Sequence, residues 1–104
     1  MYKGTTPTVT ITLKDQTVDL TAASHVYVTI ASRNKNLIRK EDAALDVSEH
    51  SVALFLTQEE TLALPQVAFL QLNWTYIDGD TSKRACSEIV PVRFNPNLEA
   101  VVLA

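Results

Sequence analysis

Cysteine and glycine are scarce in this sequence. Its 104 residues include one cysteine, Cys86, and two glycines, Gly4 and Gly79. One cysteine excludes an intramolecular disulfide, and a single thiol cannot frame a zinc site. Two isolated glycines exclude a glycine-rich loop that cradles a phosphate. A continuous hydrophobic core must therefore offset the conformational entropy lost on folding, which is on the order of 100–200 kcal/mol for a chain of this length.

Positive charge and long apolar runs are also limited. The net charge is −3, and the basic residues form no stripe of the kind that marks a nucleic-acid binder. The one basic cluster, within residues 33–40, precedes Glu41 and Asp42 and predicts a solvated loop or edge strand. No run approaches the ~20 apolar residues of a membrane helix, and no signal peptide is predicted. We therefore expect a soluble protein made in the cytoplasm, with no membrane partner.

Alternation of apolar and polar residues is the strongest pattern that is present. Val9, Ile11 and Leu13 alternate with threonines, which is typical of a half-buried β-strand. Similar runs between polar turns predict about seven short strands, at 8–13, 25–32, 37–40, 45–47, 51–56, 67–76 and 84–94. Residues 18–20 fit either a short strand or an extended loop. Phe55 points away from the core face of its strand, so we expect that other face to be at least partly covered.

Residues 67–94 predict a long hairpin at the centre of the fold. Four residues of its first arm share the core face, namely Ala68, Leu70, Leu72 and Trp74. The Asp78-Gly79 pair predicts the turn, because glycine supplies the positive φ that such turns need. A change of alternation near Ser87 predicts a bulge or an exposed face in the second arm. Pro91 excludes full pairing on both sides of that arm.

One short helix is predicted near residues 58–63. Thr57 precedes Glu60 by three residues, which is the spacing of a capping box. Pro65 ends the segment. We expect one or two helical turns that bridge two sheets.

These elements predict an all-β fold with one domain at residues 1–97. Parallel βαβ units would need helices between the strands, and the sequence shows none. The pattern favours an antiparallel two-sheet immunoglobulin-like sandwich of about seven strands, with a small, partly open barrel as the alternative. Residues 98–104 form an apolar C-terminal tail, which packs either on its own domain or on a neighbouring subunit.

No catalytic, cofactor-binding or metal-binding set is predicted. His25 and His50 lie 25 positions apart, with no third ligand at a suitable spacing. Cys86 has no histidine partner at a defined spacing and is expected to be a buried or half-buried inert thiol. The segment 78–80 lacks the later ligands of a calcium loop. We therefore expect a protein that is not an enzyme and carries no cofactor.

Three blocks in this order are similar to a known group of proteins. Residues 2–13 read YKGTTPTVTITL, residues 56–62 read LTQEETL, and residues 74–80 read WTYIDGD, followed by 85–92. Together they resemble small tail-associated structural proteins of phages and prophages of Gram-positive bacteria, which also resemble the N-terminal β-domains of baseplate proteins. The chain departs from them at Lys83-Arg84, at Pro91 and in its apolar tail. The resemblance implies a place in the virion or tail and no catalysis.

The sequence and the resemblance together predict a structural protein that acts by protein–protein contact in a tail or baseplate. We expect other phage structural proteins as partners, a homo-oligomer, and no nucleic acid. Interface candidates are Thr8, Thr10, Thr12, Leu98, Val101, Val102 and Leu103, with the 37–40 edge as a weaker one. One alternative is a host-surface or carbohydrate-binding module that uses Tyr2, Tyr27 or Tyr76. The other is a monomeric regulator or inhibitor encoded by a mobile element.

Overall fold

The computed structural model describes residues 1–33 and 35–98. This part of the chain folds into eight β-strands in two antiparallel sheets, with one short α-helix. The elements are β1 Thr8–Thr12, β2 His25–Ala31, β3 Asn36–Glu41, β4 Leu45–Val47, β5 Ser51–Phe55, α1 Gln58–Ala63, β6 Val67–Asp78, β7 Thr81–Cys86 and β8 Val90–Arg93. Single 3-10 turns lie at Leu20–Ala22 and Asp42–Ala44. The predicted all-β sandwich is confirmed.

The strand order is that of an immunoglobulin sandwich without its first strand. One sheet has the order β1-β5-β4, and the other has the order β3-β2-β6-β7 with β8 also paired to β6. These orders correspond to strands B-E-D and C′-C-F-G of the immunoglobulin topology. Strand A, which would lie beside β1, has no counterpart in that sheet within residues 1–33 and 35–98. β1 is therefore an edge strand.

The core lies between the two sheets and follows the alternation of the sequence. Every second residue of β1, β2 and β5 is buried, and so is every second residue of β6 from Ala68 to Trp74. The core residues are Val9, Ile11, Leu13, Leu20, Val26, Val28, Ile30, Val52, Leu54, Leu56, Leu64, Ala68, Leu70, Leu72, Trp74 and Phe94. The predicted core face of the first hairpin arm is thus confirmed. Burial of β-branched and leucine side chains at about 25 cal/mol per Å² is the main stabilising contribution.

The second arm of the hairpin is two strands, not one. β7 pairs with the far half of β6, and β8 pairs with residues 67–70 at its start. Between them, the Ser87 N–H donates to Leu72 O (2.8 Å) and Ser87 Oγ accepts from Leu72 N–H (3.0 Å). The serine hydroxyl replaces a backbone carbonyl in the ladder, so the strand stops there. The sequence placed an irregularity near Ser87 but did not predict that the arm would divide.

The turn of this hairpin is Gly79-Asp80, one position beyond the Asp78-Gly79 pair that predicted it. β6 continues to Asp78 and β7 begins at Thr81. Gly79, with φ +64°, therefore stands in a two-residue connection. A positive φ at this position explains why glycine follows Asp78.

The predicted helix and its capping box are both present in α1. Thr57 Oγ1 accepts from Glu60 N–H (3.2 Å), and Glu60 Oε1 accepts from Thr57 N–H (2.9 Å). Lys40 of β3 adds an ion pair, with Nζ 2.8 Å from Glu60 Oε2. The cap therefore ties the helix to an edge of the larger sheet.

Lys40→Met is expected to destabilise the fold by about 1 kcal/mol at neutral pH, between the values for exposed and buried ion pairs. Burial raises the pKa of Glu60, but hydrogen bonds from Lys40 and Thr57 and the charge of Lys40 outweigh it and lower the pKa below 4.5. A lowered folded-state pKa gives stability that is present above about pH 4.5 and lost as pH falls through the folded value. Urea unfolding at pH 7 and pH 3 measures this, and a difference between wild type and variant that does not shrink at pH 3 would contradict it.

Candidate protein-interaction edge

The outer edge of β1 carries backbone groups that no strand in the described part of the chain uses. Leu56 N–H donates to Pro7 O (3.1 Å) and Leu13 N–H donates to His50 O (2.8 Å). Hydrogen-bonded and non-hydrogen-bonded pairs alternate along an antiparallel ladder. Residues 7, 9, 11 and 13 therefore bond to β5, and the N–H and C=O groups of residues 8, 10 and 12 point away from it. β1 lies at the end of its sheet, so these groups face outward.

The side chains of these edge residues lie on the outer face of the smaller sheet. Thr8, Thr10 and Thr12 are all exposed, as the alternation predicted. Phe55 lies opposite Thr8 on β5 and is 52% exposed. Ser51 and Ala53 on the same face of β5 are half-buried, so the predicted partial cover of this face does not extend to Phe55. Phe55 is instead an apolar residue beside the free edge.

An apolar groove runs beside this edge, on the open side of the sandwich. A hollow of ≈ 450 Å³ lies between the end of β1 and the interruption between β7 and β8. Ile11, Leu13, Trp74, Ala85 and Val90 contribute its apolar lining. We call this hollow the open-edge groove.

A second hollow, of ≈ 490 Å³, shares Val18, Trp74 and Ala85 with the open-edge groove and extends to Tyr76 and Ile77. The two hollows form one depression along the side where the immunoglobulin topology would place strand A. Trp74 keeps 7% of its surface accessible there. An apolar depression next to unpaired backbone groups is typical of a binding surface.

The position of the groove follows from the interruption of the β-ladder at Ser87, between β7 and β8. After β7, residues 87–89 leave the ladder before β8 begins. Ile89 and Val90 are consequently exposed rather than packed on the core. Lys14 Nζ lies 3.2 Å from Glu88 Oε2, and both side chains are largely exposed. This ion pair joins the end of β1 to the segment between β7 and β8.

Leu98, the C-terminal candidate that lies within the described residues, does not line this groove. Leu98 is fully exposed and lies beyond the end of β8. Asn97 Nδ2 donates to Lys3 O (2.9 Å), and Asn95 forms a parallel bridge with Tyr2. The remaining candidates, Val101, Val102 and Leu103, lie outside the described residues. The structure thus places Thr8, Thr10 and Thr12 together on β1, whereas Leu98 follows β8 and belongs to neither sheet.

The weaker candidate, the 37–40 edge, is an edge strand as predicted, but its polar side chains have partners. β3 lies at the end of the larger sheet. Arg39 Nε is 2.7 Å from Glu41 Oε1, and the Arg39 guanidinium lies 4.3 Å from the ring centre of Tyr27. Lys40 is bound to Glu60. This edge is therefore less available for a new contact than the edge of β1.

Sequence reasoning missed a cluster on the outer face of the larger sheet. Tyr27 lies under Arg39 on one side, and the Arg84 guanidinium is 5.6 Å from its ring centre. Arg84 Nε and Nη2 donate to Asn73 Oδ1 at 3.2 and 3.1 Å. These side chains meet because the register of β2 and β6 sets Tyr27 opposite Asn73. The sequence alone does not show this register, because it does not show which strands pair. The guanidinium groups cover the ring of Tyr27, so this tyrosine is a poor platform for a sugar.

The two histidines have separate structural partners. His25 Nδ1 is 3.2 Å from Asp42 Oδ2, and His50 Nδ1 is 2.8 Å from Val18 O. The Val26 N–H and then His25 hold the pKa of Asp42 below its usual value. No group of three or more His, Cys, Asp or Glu residues that could hold a metal occurs within residues 1–33 and 35–98.

Cys86 is exposed, which corrects the prediction of a buried or half-buried thiol. It lies opposite Asn73 on β6, so it belongs to the outer face of the larger sheet. The alternation near Ser87 is too irregular to assign that face from sequence. In the part of the chain that the structure covers, no helix is long and apolar enough to cross a membrane.

No protein-family model, curated protein or solved structure matches this chain.

Proposed function

We propose that this protein is a non-enzymatic structural module that acts by protein–protein contact in a phage- or prophage-derived tail or baseplate. The observation that carries the contact function is the free edge of β1, where the backbone groups of Thr8, Thr10 and Thr12 face outward beside the open-edge groove. An extended segment can add to such an edge through main-chain hydrogen bonds, while an adjacent groove takes alternate side chains.

The sequence supports the tail or baseplate part of this function. The blocks at 2–13, 56–62 and 74–80 resemble tail-associated proteins, and two of them coincide with elements that matter here. Residues 2–13 contain the free edge strand β1, and residues 56–62 contain the cap of α1. The residues that carry the resemblance therefore include those that form the proposed contact edge.

Particle association tests this function. A tagged copy of the chain is produced during growth of the phage, or induction of the prophage, that encodes it, and the particles are purified on a density gradient. We expect the tagged chain to sediment with tails or baseplates and to cross-link to another structural protein of the particle. A tagged protein of similar size that has no role in the particle controls for trapping. Recovery of the chain only in the soluble fraction would overturn the tail or baseplate role.

A carbohydrate-binding role is the second candidate, and Tyr76 is the observation that favours it. Tyr76 is partly exposed and lines the second hollow together with Trp74. An aromatic ring in a hollow is a suitable platform for a sugar. A glycan array tests this role: binding that is lost in Tyr76→Ala and kept in the exposed control Tyr2→Ala would support it. An array without binding would remove the candidate.

A further inference from the structure

We infer that β1 of one copy pairs antiparallel with β1 of a second copy about a two-fold axis at Thr10, so that the smaller sheets of the two copies become one continuous sheet. This inference rests on the proposed function and names the partner and the register of the contact. Its supports are the lack of protection on this edge, the symmetric sequence of β1, the position of its outward backbone groups, and the exposed apolar side chains on the same side of the sandwich.

β1 is the least protected sheet edge of the described structure. Native proteins discourage pairing at edge strands with charges, prolines or very short strands. β3 carries charges at residues 39–41, β7 carries charges at 83–84, β8 contains Pro91, and β4 has only three residues. Among the sheet edges within residues 1–33 and 35–98, β1 alone is five residues long with neither charge nor proline. A further strand therefore meets no such obstacle at β1.

The sequence of β1 has the same pattern in both directions. It reads Thr-Val-Thr-Ile-Thr. In an antiparallel pair centred on Thr10, Thr8 lies opposite the partner's Thr12, and Val9 lies opposite the partner's Ile11. Threonine pairs across neighbouring strands are stabilising, and β-branched residues pack well on a pleated sheet. Each residue of β1 thus meets a residue of its own kind, which favours a second copy of this chain as the partner.

The same register satisfies the outward backbone groups of β1. The N–H and C=O groups of residues 8, 10 and 12 point away from β5. In an antiparallel ladder, two such residues that face each other exchange two hydrogen bonds. Centring on Thr10 makes 8 face 12, 10 face 10 and 12 face 8, so every outward group is used. A shift by one residue would set these groups opposite residues that bond to β5, and a shift by two would leave some of them unpaired.

No like charges meet in this pairing. The charged residues nearest to β1 in the sequence are Lys3 and Lys14. With Thr10 on the axis, Lys14 would fall opposite the partner's Thr6, and its own charge is already paired with Glu88 (Nζ to Oε2, 3.2 Å). Juxtaposed like charges are a strong obstacle to association. The neutral edge therefore allows two identical copies to approach.

Exposed apolar side chains extend the contact beyond the paired strands. A stable interface buries roughly 800 Å² on each partner. Ile77 and Val90 line the two hollows on this side of the sandwich and are 61% and 43% exposed, and the neighbouring Ile89 is 60% exposed. A two-fold axis perpendicular to the sheet keeps the threonines of both copies on one face and turns their hollows toward each other. The dimer thus covers apolar surface that one copy leaves open.

The first experiment places a charge on the axis. By light scattering, the mass of the wild-type chain is expected to rise with concentration from one copy to two and to stop there. Thr10→Lys and Thr10→Glu are each expected to stay monomeric with an unchanged circular dichroism spectrum, because the two substituted residues would face each other with Cα atoms about 5.5 Å apart. An equimolar mixture of the two variants pairs opposite charges at the axis and is expected to regain the dimer.

Asp46→Lys is the matched control for this experiment. Asp46 and Thr10 both lie opposite Ala53, so they share one row at the two edges of the same sheet, and both are exposed. The control is expected to dimerise like wild type. The inference is overturned by a wild-type chain that stays monomeric or exceeds two copies, by a Thr10→Lys chain that still dimerises, by a mixture that stays monomeric, or by equal loss in Asp46→Lys.

The second experiment tests the register. In a Cys86→Ser background, Thr8→Cys is mixed with Thr12→Cys under oxidising conditions. A disulfide between the two variants is expected, because paired Cα atoms about 5.5 Å apart lie within the range that a disulfide spans. Thr8→Cys alone is expected to stay unlinked, because its two copies would be offset by four residues, or about 14 Å along the strand. Linkage of Thr8→Cys to itself, or no linkage in the mixture, contradicts the register.

Amide hydrogen exchange distinguishes a second copy from any other occupant of the edge. The N–H groups of Thr8, Thr10 and Thr12 are expected to exchange slowly where the dimer is populated and quickly after dilution. Those of Val9 and Ile11 bond to β5 and serve as controls that stay protected at both concentrations. Slow exchange of the threonine amides in a monomer would show that the same chain covers this edge, which overturns the inference. The particle-association result does not depend on these outcomes, so the inference can fail while the tail or baseplate function stands.

Discussion

Leu72→Ala is expected to destabilise the protein by about 2–5 kcal/mol, which is the cost of a large-to-small change in a core that relaxes only partly. Leu72 is completely buried at the middle of β6, opposite Val28 of β2. On the opposite edge of β6, Leu72 O accepts a hydrogen bond from Ser87 N–H, and Leu72 N–H donates one to Ser87 Oγ. These two bonds lie where β7 and β8 separate. A cavity at this position removes contacts between both sheets, and chemical denaturation gives the loss as a lower midpoint.

The matched control is Ile77→Ala on the same strand. Ile77 is 61% exposed near the hairpin turn, and substitutions at such positions usually change stability by less than about 0.5 kcal/mol. Removing a branched aliphatic side chain from β6 thus has a large effect only on the core face. Equal losses of stability in Leu72→Ala and Ile77→Ala would show that the face of β6 that carries Leu72 is not buried.

Thr61→Val is expected to cost about 1–3 kcal/mol, which is the penalty for buried polar groups that lose their hydrogen-bond partner. Thr61 is fully buried on α1. Its Oγ1 donates to Thr5 O (2.9 Å) and accepts from Gly4 N–H (2.9 Å). Valine keeps the volume of the side chain and removes both bonds, so faster amide exchange at Gly4 should accompany the lower stability.

Thr81→Val controls for the change of residue type, because Thr81 is exposed at the start of β7 and is expected to be nearly neutral. If Thr61→Val were as stable as wild type, with Gly4 exchange unchanged, the hydroxyl would not be the link that holds the N-terminal segment to α1.

The parts of the fold that the sequence predicts are those set by local pattern. Period-two alternation placed Leu70, Leu72 and Trp74 in the core, and the spacing of Thr57 and Glu60 placed the helix cap. Each of these depends on residues close together in the chain. The helix and the core face are accordingly confirmed in the structure.

The features that the sequence did not predict depend on which other segments pack against or pair with a strand. Phe55 is exposed although Ser51 and Ala53 on the same face of β5 are half-buried, and Cys86 is exposed because it lies on the outer face of β7 just before the interruption at Ser87. Alternation gives two faces but does not say whether the second face is covered. The split of the second arm depends on a single serine hydroxyl that stands in for a carbonyl in the ladder.

The candidate interaction edge was likewise predicted from the sequence only in part. Alternation placed the threonines of β1 on an exposed face. It did not show that their backbone groups have no partner strand within residues 1–33 and 35–98, since this follows from the order of strands in the sheet. The open-edge groove likewise needs β1 and the segment between β7 and β8 to lie side by side, although they are far apart in sequence. Those contacts are fixed by topology and not by local pattern.

The parallel bridge between Tyr2 and Asn95 has a consequence for how this domain can be combined with others. Since the first residues run beside those that follow β8, the chain enters and leaves the sandwich at adjacent points. A domain with adjacent entry and exit can be spliced into a surface loop of a host protein without forcing the ends of that loop apart, so the added loop-closure entropy is small. It can equally be circularly permuted by a short linker across that bridge.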